Sequence, residues 1–180
     1  MNKEYWIRYY QNLQPTSFAK FCLTYMPRNG KIIDLGCGNG RDSYFFGGQS
    51  NIKCVCGVDF AYEPDEKRHT HFSNISLEEL LFAKCLDWTV YSRFFLHSIT
   101  KPQIRRLIKW STNMFMAEFR DASDVPTLYT THKRTKVDGK WVKQLLINNG
   151  FEILYYKKGR NMAKYKTENP ICVRVIARKR

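Results

Sequence analysis

Residues 31–46 read KIIDLGCGNGRDSYFF, and no other stretch of this 180-residue chain limits its fold as tightly. A short apolar run, Ile32-Ile33, ends in Asp34, then in a Gly36-x-Gly38-x-Gly40 turn, then in an aromatic helix start. That order spells a buried strand, a tight loop and the first turn of a helix. Glycine takes φ > 0 freely and has no Cβ, so the chain can turn sharply there and leave room for close approach. The helix behind the turn offers free N–H groups and the positive end of its dipole to the same place.

A second strand signal, Ile52–Val58, closes on another acid, Asp59. The gap from the glycines is about the 20 residues that separate a phosphate-binding turn from a ribose-binding acid in nucleotide folds. The glycine spacing is not that of the dinucleotide fingerprint, and an acid stands before the glycines. DLGCGNGRD resembles motif I of class I S-adenosylmethionine-dependent methyltransferases. The resemblance implies S-adenosylmethionine as cofactor, a loop of Asp34, Gly36, Cys37, Gly38, Gly40 and Asp42 around it, and Asp59 on its ribose. Phe60, or Phe72 with Ser73, would flank the adenine, Tyr91 and Ser92 would complete the pocket, and Lys20 would meet the cofactor carboxylate.

Strand and helix signals alternate along the chain. Residues 1–28 read as a helical cover, with Tyr5, Trp6, Tyr9 and Tyr10 on one face, Pro15 as a break and Thr16 or Ser17 as a cap. His71-Phe72-Ser73 marks a brief third strand, and Ser76-Leu77-Glu78-Glu79 a capping box. Asp87–Leu96 reads as the fourth strand. Thr100 and Pro102 open a helix with Ile104, Leu107 and Ile108 inward. Asn113–Phe119 is a fifth strand, Asp121–Val137 a long loop, and Trp141–Leu146 a helix ending at Gly150. Phe151–Tyr156 and Cys172–Ala177 form an antiparallel pair at a sheet edge. The expected architecture is α/β: a Rossmann-like, doubly wound, mostly parallel seven-stranded sheet with helices on both faces. One domain covers 1–180, with 31–180 as the Rossmann-like core.

Net charge is +14, and it is unevenly spread. Residues 1–100 carry 11 Lys/Arg against 10 Asp/Glu; residues 101–180 carry 19 against 6. Such a sided field favours an anionic partner. No apolar run approaches a membrane span and the first residues carry no signal-peptide pattern. A cytoplasmic location is expected, the host cytoplasm if the chain is viral. The six cysteines lack Cys-x-x-Cys pairing, so reduced thiols and no metal are expected. A monomer or weak homodimer is expected.

The segment after the fourth strand, Tyr91-Ser92-Arg93-Phe94-Phe95-Leu96-His97-Ser98, holds the clue to the methyl acceptor. It lacks the Asn/Asp-Pro-Pro-aromatic sequence of many amino-group methyltransferases and the acid of the ribose 2′-O enzymes. It resembles the Ser-x-x-Phe-x-x-His segment of RNA cap guanine-N7 methyltransferases, and a compact viral version would suit the chain's length. By that resemblance His97, Phe94 and Arg93 would form the catalytic group. Arg41, Phe95, Ser98, Glu118, Arg120, His132, Arg134 and Tyr165 would hold capped RNA or a GTP-like nucleotide. Guanine N7 has a free lone pair, so positioning suffices without a general base. The same block also resembles small bacterial enzymes of surface-sugar synthesis, in which His97 would deprotonate a sugar hydroxyl. A third reading is a non-catalytic, RNA-binding version of the fold, against which the intact glycines and Asp59 argue.

Overall fold

The computed structural model describes residues 14–60, 64–65, 69–83, 87–124, 134–164 and 167–180. Tyr5, Trp6, Tyr9, Tyr10, Cys85, His132 and Tyr165 lie outside these residues. Seven strands form one sheet: β1 (Gly30–Leu35), β2 (Ile52–Val58), β3 (Thr70–Ser73), β4 (Trp88–Arg93), β5 (Met114–Arg120), β6 (Phe151–Gly159) and β7 (Cys172–Lys179), in the order β3-β2-β1-β4-β5-β7-β6. β1 to β5 run parallel, and β7 is antiparallel to both β5 and β6. The chain leaves β1 toward β2 on one side and resumes at β4 on the other. The carboxyl ends of β1 and β4 therefore splay apart, as they do wherever strand order reverses in an open α/β sheet.

The sheet is buried on both faces because successive side chains alternate. Ile33, Val90, Phe115 and Ala117 pack with Leu77, Leu80, Ile104, Leu107, Val142 and Leu146. Those residues come from α3 (Leu77–Phe82), α4 (Lys101–Trp110) and α5 (Gly139–Asn148). The intervening residues Ile32, Val55, Tyr91, Met114 and Met116 pack with Phe18, Cys22 and Phe46 on the opposite face. That layer is built by α1 (Ser17–Leu23) and α2 (Arg41–Gly47). The fold is thus the three-layer arrangement expected from the alternation of signals.

Helix starts follow local chemistry. The Thr16 hydroxyl accepts from Ala19 N–H, and Asp138 accepts from Trp141 N–H. Ser76 with Glu79 and Thr100 with Gln103 form reciprocal capping boxes, each satisfying two orphan donors. One boundary differs from expectation. The fourth strand stops at Arg93 rather than Leu96, because Phe94 turns into the left-handed region at φ 55° and Leu96–Ser98 form a 3-10 turn. The apolar character of Phe94–Leu96 reflects packing, not pleated backbone. The five described cysteines, Cys22, Cys37, Cys54, Cys56 and Cys172, are free thiols. Among the described residues no helix is long and apolar enough to cross a membrane.

Candidate functional site

A cavity of about 590 Å³ opens over the carboxyl ends of β1, β2 and β4. Its floor is the loop after β1. Gly36, Gly38 and Gly40 all have positive φ, at 68°, 55° and 75°. The N–H groups of Gly36 and Cys37 both donate to Val58 O, which locks the loop onto the end of β2. The missing Cβ atoms are used differently from expectation. A Cβ on Gly36 would stand 2.7 Å from Phe95, and one on Gly40 the same distance from Phe72. The glycines thus admit two phenyl rings as well as bending the chain.

Three acids converge on this loop. Asp59, just beyond β2, accepts from Gly38 N–H at 3.0 Å and lines the cavity. Asp34, at the end of β1, is buried and accepts from the Ser43 hydroxyl at 2.6 Å. Burial, with the neighbouring Asp42 charge, pushes its carboxyl up to about 8. Asp42 is buried too, but fully engaged: one oxygen accepts from Thr16 N–H at 2.8 Å, the other from the Thr16 and Tyr91 hydroxyls at 2.9 and 2.7 Å. Asp42 therefore fastens the segment before α1 to the glycine loop, and Gln14–Ser17 become a wall of the cavity.

The opposite wall is the turn after β4. Phe94, Phe95, His97 and Ser98 line it. The Arg93 guanidinium lies 4.5 Å from the centre of the Phe94 ring, whose own centre is 5.7 Å from that of His97. His97 is 5% exposed, and among the described residues its Nδ1 has no hydrogen-bond partner. Burial, then the charges of Arg134 and Arg120, lower its pKa to about 3. A neutral imidazole with an uncommitted buried ring nitrogen is poised to meet a partner in the cavity, since such atoms are rarely left unsatisfied.

The structure gathers Asp34, Gly36, Cys37, Arg41, Asp42, Asp59, Phe60, Arg93, Phe94, Phe95, His97, Ser98, Arg120 and Arg134 around one cavity. Several expected residues are absent from its lining, Gly38 and Gly40 among them. Lys20 is exposed on α1. Phe72 and Ser73 do not reach the cavity, because the Phe72 ring is folded against Gly40, Gly57 and Tyr44. Tyr91 is wholly buried, stacked on Phe18 and bonded to Asp42. Ser92 is likewise sealed within β4. Glu118 is 1% exposed and sits below the wall, accepting from Arg93 Nε and Arg174 Nε. Arg120 is paired with Glu168 and Asp124, so Arg93 and Arg120 both already face carboxylates. His132 and Tyr165 fall outside the described residues. His97 follows Phe95 by two residues, one fewer than the Ser-x-x-Phe-x-x-His pattern has.

The sequence reading missed Asn39, Ile75, Leu77, Leu80, Met162, Ala163, Lys164 and Glu168 as lining residues. Ile75 and Leu77 could have been found from their place directly after the third strand. Met162–Lys164 carry no periodicity that would place them.

No protein-family model matches the sequence, and no curated protein matches it. Solved structures do. A methyltransferase structure from Anabaena variabilis aligns over 99% of this chain and 93% of its own, with TM-score 0.71 and 15% identity. One from Methanosarcina mazei aligns over 88% and 96%, with TM-score 0.69 and 16% identity. Both are described as S-adenosylmethionine-dependent. This chain has their fold. A third neighbour is the Burkholderia thailandensis 1,6-didemethyltoxoflavin-N1-methyltransferase with bound S-adenosylhomocysteine; it covers 89% of this chain and 76% of its own, at TM-score 0.64 and 19% identity.

Proposed function

We propose that this chain is an S-adenosylmethionine-dependent methyltransferase whose acceptor is a ring nitrogen of a nucleotide base, guanine N7 of an RNA cap or of GTP. The observation that carries the reading is the pairing of two sites in one cavity: an acid-flanked glycine loop, and a wall holding a neutral, buried histidine beside an aromatic ring. The residues present fit the cofactor. Asp59, steadied by Gly38 N–H, offers a carboxylate to vicinal hydroxyls. Asp34 offers a buried carboxyl that a cationic amino group would ionise. Ile75, Leu77 and Leu80 line the same cavity as Asp59 and Phe60 and offer apolar surface to a flat base. S-adenosylmethionine bound there would supply an electrophilic methyl on a sulfonium. Asp59→Ala is expected to weaken cofactor binding by about 1.5–3 kcal/mol, as for a lost hydrogen bond to a charged group, and to leave the fold intact. Calorimetry showing parental affinity would remove Asp59 from the site.

The choice of acceptor rests on His97. A general base works best with a pKa near the operating pH. Burial holds His97 far below that, so it accepts a proton poorly and serves better as a hydrogen-bonding guide. A ring nitrogen with a free lone pair asks for no more than that. Phe94 and Phe95 add flat apolar surface beside it. The Burkholderia neighbour is described as an N1-methyltransferase, a nitrogen acceptor in that protein. His97→Gln should therefore keep methyl transfer to GTP or a cap dinucleotide within roughly tenfold of the parent, with no pH limb of its own. A loss on the ~10²–10⁴ scale of general-base catalysis, with a limb that disappears in the variant, would favour a sugar hydroxyl instead. Nucleotide sugars assayed alongside decide between the two acceptors directly.

A further inference from the structure

Beyond the turn after β4, α4 and α5 pack side by side and turn a cationic face outward. α4 presents Lys101, Arg105, Arg106 and Lys109, all exposed. α5 adds exposed Lys140 and half-buried Lys143. Neither helix contains an Asp or Glu. Among the described residues none of the six cations forms an ion pair. Two acids beside these helices have other partners: Asp138 caps α5, and Glu78 accepts from Gln103.

Aromatic rings are set among these charges. Lys101 Nζ and Arg105 Cζ lie 5.8 and 5.4 Å from the centre of the Trp141 ring, and Lys143 Nζ lies 5.2 Å from that of Tyr156. Lys101, Arg105 and Lys109 succeed one another at i, i+4 spacing, and like charges so placed weaken a helix. The stripe is thus a cost to the fold that a polyanion would relieve. It is about 12 Å long at 1.5 Å per residue, enough to meet successive phosphates of a nucleic-acid strand. It also starts at the cavity. His97 and Ser98 line the cavity, and Thr100 caps α4 two residues later.

We propose that the α4–α5 face is an RNA-backbone site, which holds the strand whose 5′ end enters the cavity. The inference builds on the nucleotide-acceptor reading and extends it from the base that is methylated to the chain that carries it. Interleaved cations and aromatic rings are the footprint of single-strand binding, in which phosphates are neutralised and bases stack without sequence preference. The site is therefore independent of sequence and sensitive to salt.

The test uses the full chain and a fluorescent single-stranded RNA of mixed sequence, followed by anisotropy across a salt series. The triple variant Arg106→Glu/Lys109→Glu/Lys140→Glu changes exposed side chains outside the cavity. Its thermal midpoint should match the parent's. Its affinity for RNA should fall by roughly tenfold or more, and the salt slope should shrink by about 2, as three phosphate contacts at about 0.7 each require. Methyl transfer to GTP should be unchanged. A control variant on the other side of the molecule, Lys20→Glu/Lys53→Glu, should bind RNA as the parent does. Equal losses in the triple and control variants would overturn the proposal, as would unchanged binding in the triple variant. So would tighter, triple-sensitive binding to phosphatidylserine vesicles than to RNA. The two readings fail separately: absent methylation of nucleotides with triple-sensitive RNA binding removes the acceptor, and the reverse removes this face.

Discussion

Replacing Glu118 with alanine is expected to lower the thermal midpoint by about 6–20 °C. The carboxylate is buried at the end of β5 and receives Arg93 Nε at 2.9 Å on one oxygen and Arg174 Nε on the other. Removing one partner of a buried ion pair leaves uncompensated charge and typically costs about 3–5 kcal/mol. A domain of this size loses about 2–4 °C per kcal/mol. The effect on the cavity should be as marked. Arg174 also donates to the Ser17 hydroxyl and to Met162 O, and Arg93 lies over Phe94. The main-chain O of Glu118 also accepts from Phe94 N–H, a bond that the substitution leaves in place. Ser17, Met162, Arg93 and Phe94 all line the cavity, and the carboxylate reaches them through its two arginines. Glu118 is a positioning residue rather than a group that meets substrate. Glu118→Gln keeps the volume and one acceptor, and should lose less stability than the alanine variant. A midpoint within about 2 °C of the parent in Glu118→Ala would show that the arginines find other partners and that the network does not organise the walls.

The fold was legible because its signals are local and agree with one another. Ile32 and Ile33 feed opposite faces of a doubly buried strand, and an apolar run closing on Asp34 and three glycines can lead only into a tight turn. Thr100-Lys101-Pro102-Gln103 is a complete helix start, and both of its reciprocal hydrogen bonds are present. The fourth strand was overextended because hydrophobicity does not record φ. Nothing in Phe94-Phe95-Leu96 announces that Phe94 takes a left-handed conformation.

The site was legible only where motif and strand end coincide. Asp34 and Asp59 sit at such ends, His97 sits in the turn that follows one, and all three line the cavity. Tyr91, Ser92 and Glu118 sit in the same blocks but lie within the strands, buried before the carboxyl ends that open onto the cavity. Lys20 was expected at the cofactor carboxylate, but a residue a turn or more before the first strand can lie on either face of its helix, and this one faces solvent. Phe72 was expected at an adenine because it closes the third strand, yet two glycines, Gly40 and Gly57, leave a slot that its ring fills. The Arg174–Glu118 clamp joins residues 56 apart, a pairing that no spacing rule in one sequence exposes.

Between pH 6.5 and 8 the protein without cofactor should lose stability, and Asp34 should be the cause. The folded state holds the Asp34 proton up to about 8, against an ordinary value of 3.8. From pH 4 to 8 the folded chain therefore binds more protons than the unfolded one, and stability falls as pH rises. His97 acts in the opposite sense. Its folded value is about 3 against 6.5, so the unfolded chain binds more protons between those limits and stability rises with pH there. The two slopes oppose one another from about pH 4 to 6.5. Above pH 6.5 the unfolded His97 loses its remaining charge within about one unit, and the Asp34 slope prevails at up to about 1.4 kcal/mol per pH unit. The thermal midpoint should fall by about 3–6 °C per unit in this range. Asp34→Asn keeps an acceptor for the Ser43 hydroxyl and removes the titration, so its midpoint should be flatter by that amount. If the amino group of S-adenosylmethionine or S-adenosylhomocysteine meets Asp34, it favours the ionised carboxyl. Ligand-induced stabilisation should then grow from pH 6.5 to 8 in the parent and stay level in Asp34→Asn. Parallel profiles for the two proteins, with and without ligand, would mean that Asp34 is ionised throughout and that its burial is compensated by another group.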